Sequence, residues 1–166
     1  MKNLVAFPLL TLVVIIQMAI VSRISLISGT ADLMLLFLIA WALQTQVQTA
    51  WHWALLGGVL VAFASGQPFY VPLIGYLGAV ALARFVQGLI WQTPVLALLS
   101  VTFFATMLMQ LFTFFVLWFN GVPLVLEEAL TYIILPSIFL NLLLALPVHA
   151  FIRDLALWVN PVEEMV

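Results

Sequence analysis

The sequence predicts an all-α membrane protein, a bundle of six transmembrane helices, and two observations lead to this fold class. Of the 166 residues, 67% are hydrophobic and only 6% are charged, whereas roughly a quarter of the residues in a soluble domain are charged. So few charges cannot cover the surface of a soluble protein of this size. The apolar runs, such as residues 4–21, are also too long and too continuous for the alternating strands of a membrane barrel.

The apolar runs divide a single membrane domain, residues 1–166, into six expected spans. They cover about residues 4–21, 31–46, 48–64, 69–87, 94–119 and 136–152. The second and third spans take in part of the polar stretch 44–49, because their apolar portions are shorter than the roughly 30 Å hydrocarbon layer. Trp51 and Trp53 then serve as interfacial anchors.

The last apolar stretch contains Pro136, and we expect the helix to break there. Proline removes a backbone donor and disfavours helical geometry at the preceding residue. Residues 124–135 are therefore predicted to form a separate interfacial helix, in which Glu127 and Glu128 meet water. Residues 136–152 would then cross the membrane.

The basic residues predict the orientation of the chain. With six spans, Lys2, Arg84 and Arg153 share one side and only Arg23 lies on the other. Basic residues are enriched on the cytoplasmic side of membrane proteins. Both termini are therefore predicted to be cytoplasmic.

No stretch of the sequence carries recognisable catalytic or metal-binding chemistry. The absence of cysteine excludes disulfides and thiolate metal sites, and no zinc-protease, nucleophile-elbow or phosphate-loop motif occurs. His52 and His149 are expected near the cytoplasmic ends of spans, as interfacial residues. We expect no enzyme activity and no cofactor or metal, and the four basic residues are too few for nucleic-acid binding.

Five polar residues form a candidate outer polar cluster: Gln17, Arg23, Asp32, Gln110 and Asn141. The three amides fall within spans, where an unpaired polar group costs free energy, and all lie in the outer half of the membrane on the expected topology. Arg23 and Asp32 flank the first outer turn. The simpler interpretation is a few helix-to-helix hydrogen bonds and one exposed ion pair. The alternative is an outward-facing polar pocket or docking surface.

Small residues recur at four-residue spacing in the third and fourth spans. This spacing lines one face of a helix with side chains that allow a second helix to approach closely. The contact could lie inside the bundle or with a separate partner. The residues are Ala54, Gly58, Ala62, Gly75, Ala79 and Ala83.

Four short motifs stand out along the chain. They are Ala31-Asp32-Leu33, Ser65-Gly66-Gln67-Pro68, Gly75-Tyr76-Leu77 and the run from Leu135-Pro136-Ser137 through Asn141 and Pro147 to Arg153. Together they resemble the rod shape-determining protein MreD family over nearly the whole chain. Ala31 departs from that family, which usually has proline there, and the cytoplasmic turns are less basic. The positions that carry the resemblance are Asp32, Ser65, Gly66, Pro68, Tyr76, Pro136, Asn141, Pro147 and Arg153.

The resemblance implies a non-enzymatic scaffold of the cell-elongation, or rod-shape, machinery in the bacterial cytoplasmic membrane. Its partner would be the single-span protein MreC. The elongation transpeptidase and glycosyltransferase of peptidoglycan synthesis would lie nearby, with the MreB filament as an indirect partner and a homodimer as one possible arrangement. The fold would be similar to that of the substrate-binding subunits of energy-coupling-factor transporters.

Two other classes of function are also compatible with the sequence. A vitamin-binding subunit of an energy-coupling-factor transporter would have a similar size and number of spans. Its first helix would carry an Ala-x-x-x-Ala docking pattern, but Ala6 and Ala19 do not match that spacing. An intramembrane enzyme would need a paired acid and base at membrane depth, and no span contains an ionisable pair.

Overall fold

The structure, a computed structural model, describes residues 6–89 and 94–159. Its helices are α1 (Ala6–Ala19), α2 (Leu33–Ala42), α3 (Ala50–Ser65), α4 (Tyr70–Leu89), α5 (Pro94–Phe119), α6 (Leu126–Ala129) and α7 (Leu135–Val159). A 3₁₀ turn at Val21–Arg23 and an antiparallel hairpin of β1 (Ser25–Leu26) and β2 (Gly29–Thr30) connect α1 to α2. A π-helical turn at Leu130–Ile134 joins α6 to α7.

Four helical segments in the described part of the chain are long and apolar enough to cross a membrane. They are Ala6–Arg23, Tyr70–Leu89, Pro94–Phe119 and Leu126–Val159. Phe63, Phe85 and Trp158 are 89%, 69% and 74% exposed, and large exposed apolar surface of this kind suits contact with lipid. The protein is therefore an all-α membrane protein, as the sequence predicts, although α2 and α3 are shorter than a full span, at 10 and 16 residues.

The helix ends agree with the expected spans to different degrees. α5 has the bounds that the sequence predicts, Pro94–Phe119. α2 ends at Ala42, because residues 43–49, five of which are Gln or Thr, form turns and irregular backbone. α7 continues to Val159, beyond the expected end at residue 152.

α2 is the central helix of the bundle, and every residue from Met34 to Ala42 is buried. A helix that is apolar on all sides must be covered by other helices rather than by water. Trp53 of α3 stacks on Trp41 of α2, with 4.2 Å between the ring centroids. The interfacial anchor predicted at Trp53 is therefore wrong, because this ring fills the core, whereas Trp51 is 46% exposed.

The hairpin packs tightly against the C-terminal helical segment. A Cβ atom on Gly29 would lie 2.6 Å from the backbone nitrogen of Ser137 and 2.7 Å from the carbonyl oxygen of Ile133. The backbone N–H of Ser28 donates to the carbonyl of Tyr132 at 3.1 Å. Only glycine leaves room for this approach.

The expected break at Pro136 is wrong, because the helical segment runs without interruption from Leu126 to Val159. Pro136 lies in the first turn of α7, just after the π-helical turn. Its missing N–H leaves the carbonyl four residues earlier, at Tyr132, without its α-helical donor, and the N–H of Ser28 bonds to that carbonyl instead. Glu127 and Glu128 are exposed, but they begin this long helix rather than a separate interfacial one.

The small residues of α3 and α4 lie largely at contacts inside the bundle. A Cβ atom on Gly58 would lie 2.9 Å from the Cα of Leu73, and one on Gly75 would lie 3.1 Å from the Cγ of Met109. These contacts join α3 to α4 and α4 to α5. Of the other small residues, Ala54, Ala79 and Ala83 are buried and Ala62 is half-buried.

Candidate functional site

A polar cavity of about 230 Å³ lies beside the N-terminus of α2. It is bordered by α1, β2, α4, α5, α7 and the end of α3, so residues far apart in the sequence meet there. Its polar lining consists of Gln17, Ser22, Thr30, Asp32, Ser65, Gln67, Tyr76, Thr106, Gln110, Thr113 and Asn141.

The cavity brings together four of the five residues of the outer polar cluster. Gln17, Asp32, Gln110 and Asn141 all line it. Arg23 is exposed at the end of the 3₁₀ turn and does not line it. Arg23 and Asp32 are both described in the structure, and the ion pair expected between them does not form. The Asp32 side chain instead turns inward, to the N-terminus of α2 and to Tyr76.

Asp32 is the N-cap residue of α2. One carboxylate oxygen, Oδ1, accepts a hydrogen bond from the backbone N–H of Leu35 at 2.9 Å. The Tyr76 hydroxyl donates to the same carboxylate, at 3.2 Å from Oδ1 and 3.0 Å from Oδ2. Such a cap stabilises a helix by about 1 kcal/mol, and here it also ties α2 to α4.

Two amides hold the backbone on either side of Asp32. Gln17 of α1 donates to the carbonyl of Ala31 at 2.9 Å and accepts from the N–H of Leu33 at 2.6 Å. Asn141 of α7 accepts from the N–H of Asp32 at 2.8 Å. Its own amide donates to the hydroxyl of Thr106 at 2.9 Å. These bonds join α1, α2, α5 and α7 at one point.

α5 presents a polar stripe to the cavity. Thr106, Gln110 and Thr113 are spaced four and three residues apart, which places them on one face of a helix, and all three line the cavity. The Thr113 hydroxyl donates to the carbonyl of Met109 at 2.9 Å. The Gln110 amide makes no hydrogen bond within residues 6–89 and 94–159. This side of the cavity therefore keeps hydrogen-bonding capacity for an occupant.

The other end of α2 is also held by polar side chains of α4. The amide of Gln87 donates to the carbonyl of Leu43 at 3.0 Å, and the guanidinium of Arg84 donates to the carbonyl of Val47 and, at 2.9 Å, to Gln87. The sequence signal for this contact is the three-residue spacing of Arg84 and Gln87, which places both polar side chains on one face of an apolar helix.

The two histidines lie away from the polar cavity. His52 is exposed on α3, and His149 lines a second cavity of about 350 Å³ together with Gln44, Gln87 and Arg153. Arg153 forms an exposed salt bridge of 3.2 Å with Asp154. Within the described residues, no group of three or more metal-binding side chains is gathered at one place.

The remaining positions of the MreD-like motifs lie in several environments. Ser65 lines the polar cavity, and Gly66 follows α3 with a positive φ of 65°, a conformation that favours glycine. Pro68 is half-buried, and Pro147 lies inside α7. Sequence reasoning did not predict Thr106 or Ser137, whose hydroxyls accept hydrogen bonds from Asn141 and from the N–H of Thr30.

Comparisons of the chain with protein-family models, with curated proteins and with solved structures gave no match. The similarity to the MreD family therefore rests on the sequence motifs. Within those motifs, Asp32 and Tyr76 are joined by a hydrogen bond between their side chains, and Asp32 and Asn141 by one from backbone to side chain. The hydrogen bonds of Asp32 thus connect three of the four motifs.

Proposed function

We propose that this chain is a non-enzymatic scaffold of the bacterial cell-elongation machinery, an MreD-type protein that binds MreC and helps to organise peptidoglycan synthesis. The observation that carries the proposal is a firmly held hairpin with exposed apolar side chains. Ile24, Leu26 and Ile27, at or beside this hairpin, are 57%, 41% and 66% exposed. A surface of this kind suits contact with another protein more than it suits catalysis.

The backbone at Ile27 supports a role for this surface. Its φ is 59°, a conformation that a β-branched side chain rarely adopts and that costs about 1–3 kcal/mol. The surrounding contacts hold it in place, because Ser28 and Thr30 bond to the C-terminal helical segment and Gly29 packs against it. The strain thus presents an apolar side chain at a fixed position.

The proposal includes six spans, with α2 and α3 counted among them and both termini in the cytoplasm. α2 has only 10 residues, but the other helices enclose it, so its length need not match the hydrocarbon layer. Asp32 and the hairpin then lie at the outer side. Arg84 and Arg153 then lie at the inner side, in agreement with the distribution expected of basic residues.

On this topology, each proposed partner would contact a different part of the protein. The single span of MreC would pack against the lipid-facing helices, and its first extracytoplasmic residues would contact the hairpin. The transpeptidase and glycosyltransferase of elongation would join through the same complex, with MreB bound indirectly on the cytoplasmic side. The lipid bilayer covers the remaining exposed apolar surface.

Co-expression with MreC from the same organism, followed by purification in mild detergent, tests the proposal. The wild-type chain is expected to retain MreC. Ile27→Asn should reduce the retained MreC by about tenfold, as the loss of a central apolar contact often does. Asparagine adopts a positive φ more readily than isoleucine, so this variant should fold at least as stably as the wild type.

Leu89→Asn provides the matched control. Leu89 is also 66% exposed, but it ends α4 at the opposite end of the bundle from the hairpin. This variant is expected to retain MreC. If wild-type protein fails to retain MreC, the proposed function is refuted, and equal retention by Ile27→Asn and wild type would refute the role of the hairpin.

A vitamin-binding subunit of an energy-coupling-factor transporter is the second candidate, and the polar cavity favours it. A polar cluster with no cavity would favour a scaffold over such a subunit. The outer polar cluster instead borders an open cavity. At about 230 Å³ the cavity is smaller than the roughly 300–1,000 Å³ of pockets for drug-sized ligands. Co-purification with a pair of ATP-binding subunits in place of MreC would favour this candidate.

A further inference from the structure

We propose that the polar cavity beside α2 binds a small ligand through its ammonium group. The cavity shares Thr30 with the hairpin, but the exposed residues Ile24, Leu26 and Ile27 do not line it. The inference applies to a scaffold and to a transporter subunit alike. The ammonium group could belong to a free small amine or to the headgroup of a lipid such as phosphatidylethanolamine.

The charge of the cavity lining favours a cation. Asp32 carries the only formal charge among the lining residues, all of which lie in the described part of the chain, and no lysine, arginine or histidine joins it. The N-terminus of α2 offsets part of this charge, since a helix end carries about half a positive elementary charge. A negative balance remains in a site with lipid-facing helices around it, where charges are weakly screened.

The carboxylate of Asp32 also keeps room for another donor. Two carboxylate oxygens offer about four acceptor sites. Oδ1 receives the Leu35 N–H, and both oxygens share the single proton of the Tyr76 hydroxyl. An ammonium group has three donors and no acceptor, so it complements the free capacity of Oδ2.

Further acceptors border the same space. Gln110, Thr106 and Thr113 of α5, whose side chains carry an amide oxygen and two hydroxyl oxygens, line the cavity. They lie on one face of α5, and Gln110 has no partner among the described residues. A bound ammonium group can therefore donate to Asp32 and to α5 at once, which gives the site its specificity for a group with several donors.

The size and the walls of the cavity limit the ligand further. The apolar side chains of Met18, Leu35, Val61 and Met109 line it beside the polar groups, and they would contact a short carbon chain. Met18, Ser22 and Gln67 are exposed, so they mark the mouth at the end of α1. A volume of about 230 Å³ suits a small amine such as ethanolamine rather than a larger cofactor.

The test uses the full chain in nanodiscs of phosphatidylglycerol, a lipid that has no ammonium group. Ethanolamine is titrated while heat release and thermal stability are recorded, and ethylene glycol and acetate serve as neutral and anionic comparison ligands. Ethanolamine is expected to bind saturably and to raise the melting temperature, because a ligand that binds the folded state stabilises it. Equal stabilisation by ethylene glycol or by acetate would overturn the proposal, and so would the absence of ethanolamine binding.

Asp32→Asn tests the charge with little change in shape. Asparagine remains a good N-cap residue, so α2 should stay capped while the charge is lost. We expect the affinity for ethanolamine to fall by about tenfold or more, in line with the loss of a hydrogen bond to a charged group. Asp154→Asn removes an exposed charge outside the cavity and should bind as the wild type does. Equal affinity of Asp32→Asn and wild type refutes the inference.

Gln110→Leu keeps the inference testable if Asp32→Asn fails to fold. The amide of Gln110 makes no hydrogen bond among the described residues, so the variant that lacks it should fold. The affinity of this variant for ethanolamine should fall several-fold. Unchanged affinity would overturn the proposed contact with α5.

A second set of nanodiscs separates the two sources of the ammonium group. Adding phosphatidylethanolamine should raise the apparent Kd for free ethanolamine if the lipid headgroup is the natural occupant. An unchanged Kd supports a free amine as the occupant.

Discussion

Replacing Gly29 by alanine tests the contact on which the hairpin depends. The new Cβ would lie 2.6 Å from the nitrogen of Ser137 and 2.7 Å from the carbonyl oxygen of Ile133. Both are backbone atoms of one helical segment, so neither can rotate away as a flexible side chain would. Overpacking of this kind costs typically 1–3 kcal/mol. The bonds of Ser28 and Thr30 to that segment would weaken with it, so we expect a loss near the upper end of that range.

The measurement is the free energy of unfolding in lipid bicelles, compared with that of Gly78→Ala. A Cβ atom at Gly78 meets nothing within 4 Å, and alanine favours a helix interior by about 0.5–1 kcal/mol over glycine. The control should therefore be as stable as the wild type or slightly more stable. If Gly29→Ala unfolds with the same free energy as Gly78→Ala, the hairpin does not pack against α7 as described.

Three further predictions follow from the same structure. Asn141→Ala should lower the free energy of unfolding by about 1–3 kcal/mol, because the N–H of Asp32 loses its acceptor, whereas Gln110→Ala should change it little; equal effects would contradict the network. Gly58→Leu should destabilise the fold and reduce function more than His52→Ala, since Gly58 is in contact with Leu73 and His52 is exposed. Loss of function in His52→Ala with intact assembly would reopen a catalytic role. A reporter that is active only outside the cytoplasm, fused after Val166, should be silent, and strong activity would refute the six-span topology.

The sequence predicted the features of the fold that depend on local composition. Hydropathy and length were sufficient to place α5 with its observed ends and to assign an all-α membrane protein, because each span must satisfy its own backbone hydrogen bonds in lipid. The same reasoning selected Gln17, Gln110 and Asn141 as candidate site residues, since polar groups within spans are costly unless they find partners. Four residues of the outer polar cluster line one cavity.

Other features could not be read from local patterns, because they depend on contacts between distant residues. Asn141 bonds to the backbone of Asp32 from 109 positions away, and hydropathy carries no information about that pairing. Pro136 predicts a break in the helix, but the carbonyl of Tyr132, which lacks an α-helical donor, accepts the N–H of Ser28 in the hairpin instead. The neighbours of a proline determine whether it ends a helix.

The sequence by itself determined that the chain is a helical membrane protein with a few polar groups inside its spans, because composition and run length set the free energy of transfer into lipid. The tertiary structure decided that α2 is the enclosed helix, that Trp53 fills the core beside it and that Arg23 stays outside the cavity. The physical reason is that the same apolar residue types occur in contact with lipid and in contact with protein, so the residue type does not show which contact is made. Only the packing of the other helices around α2 distinguishes the two environments.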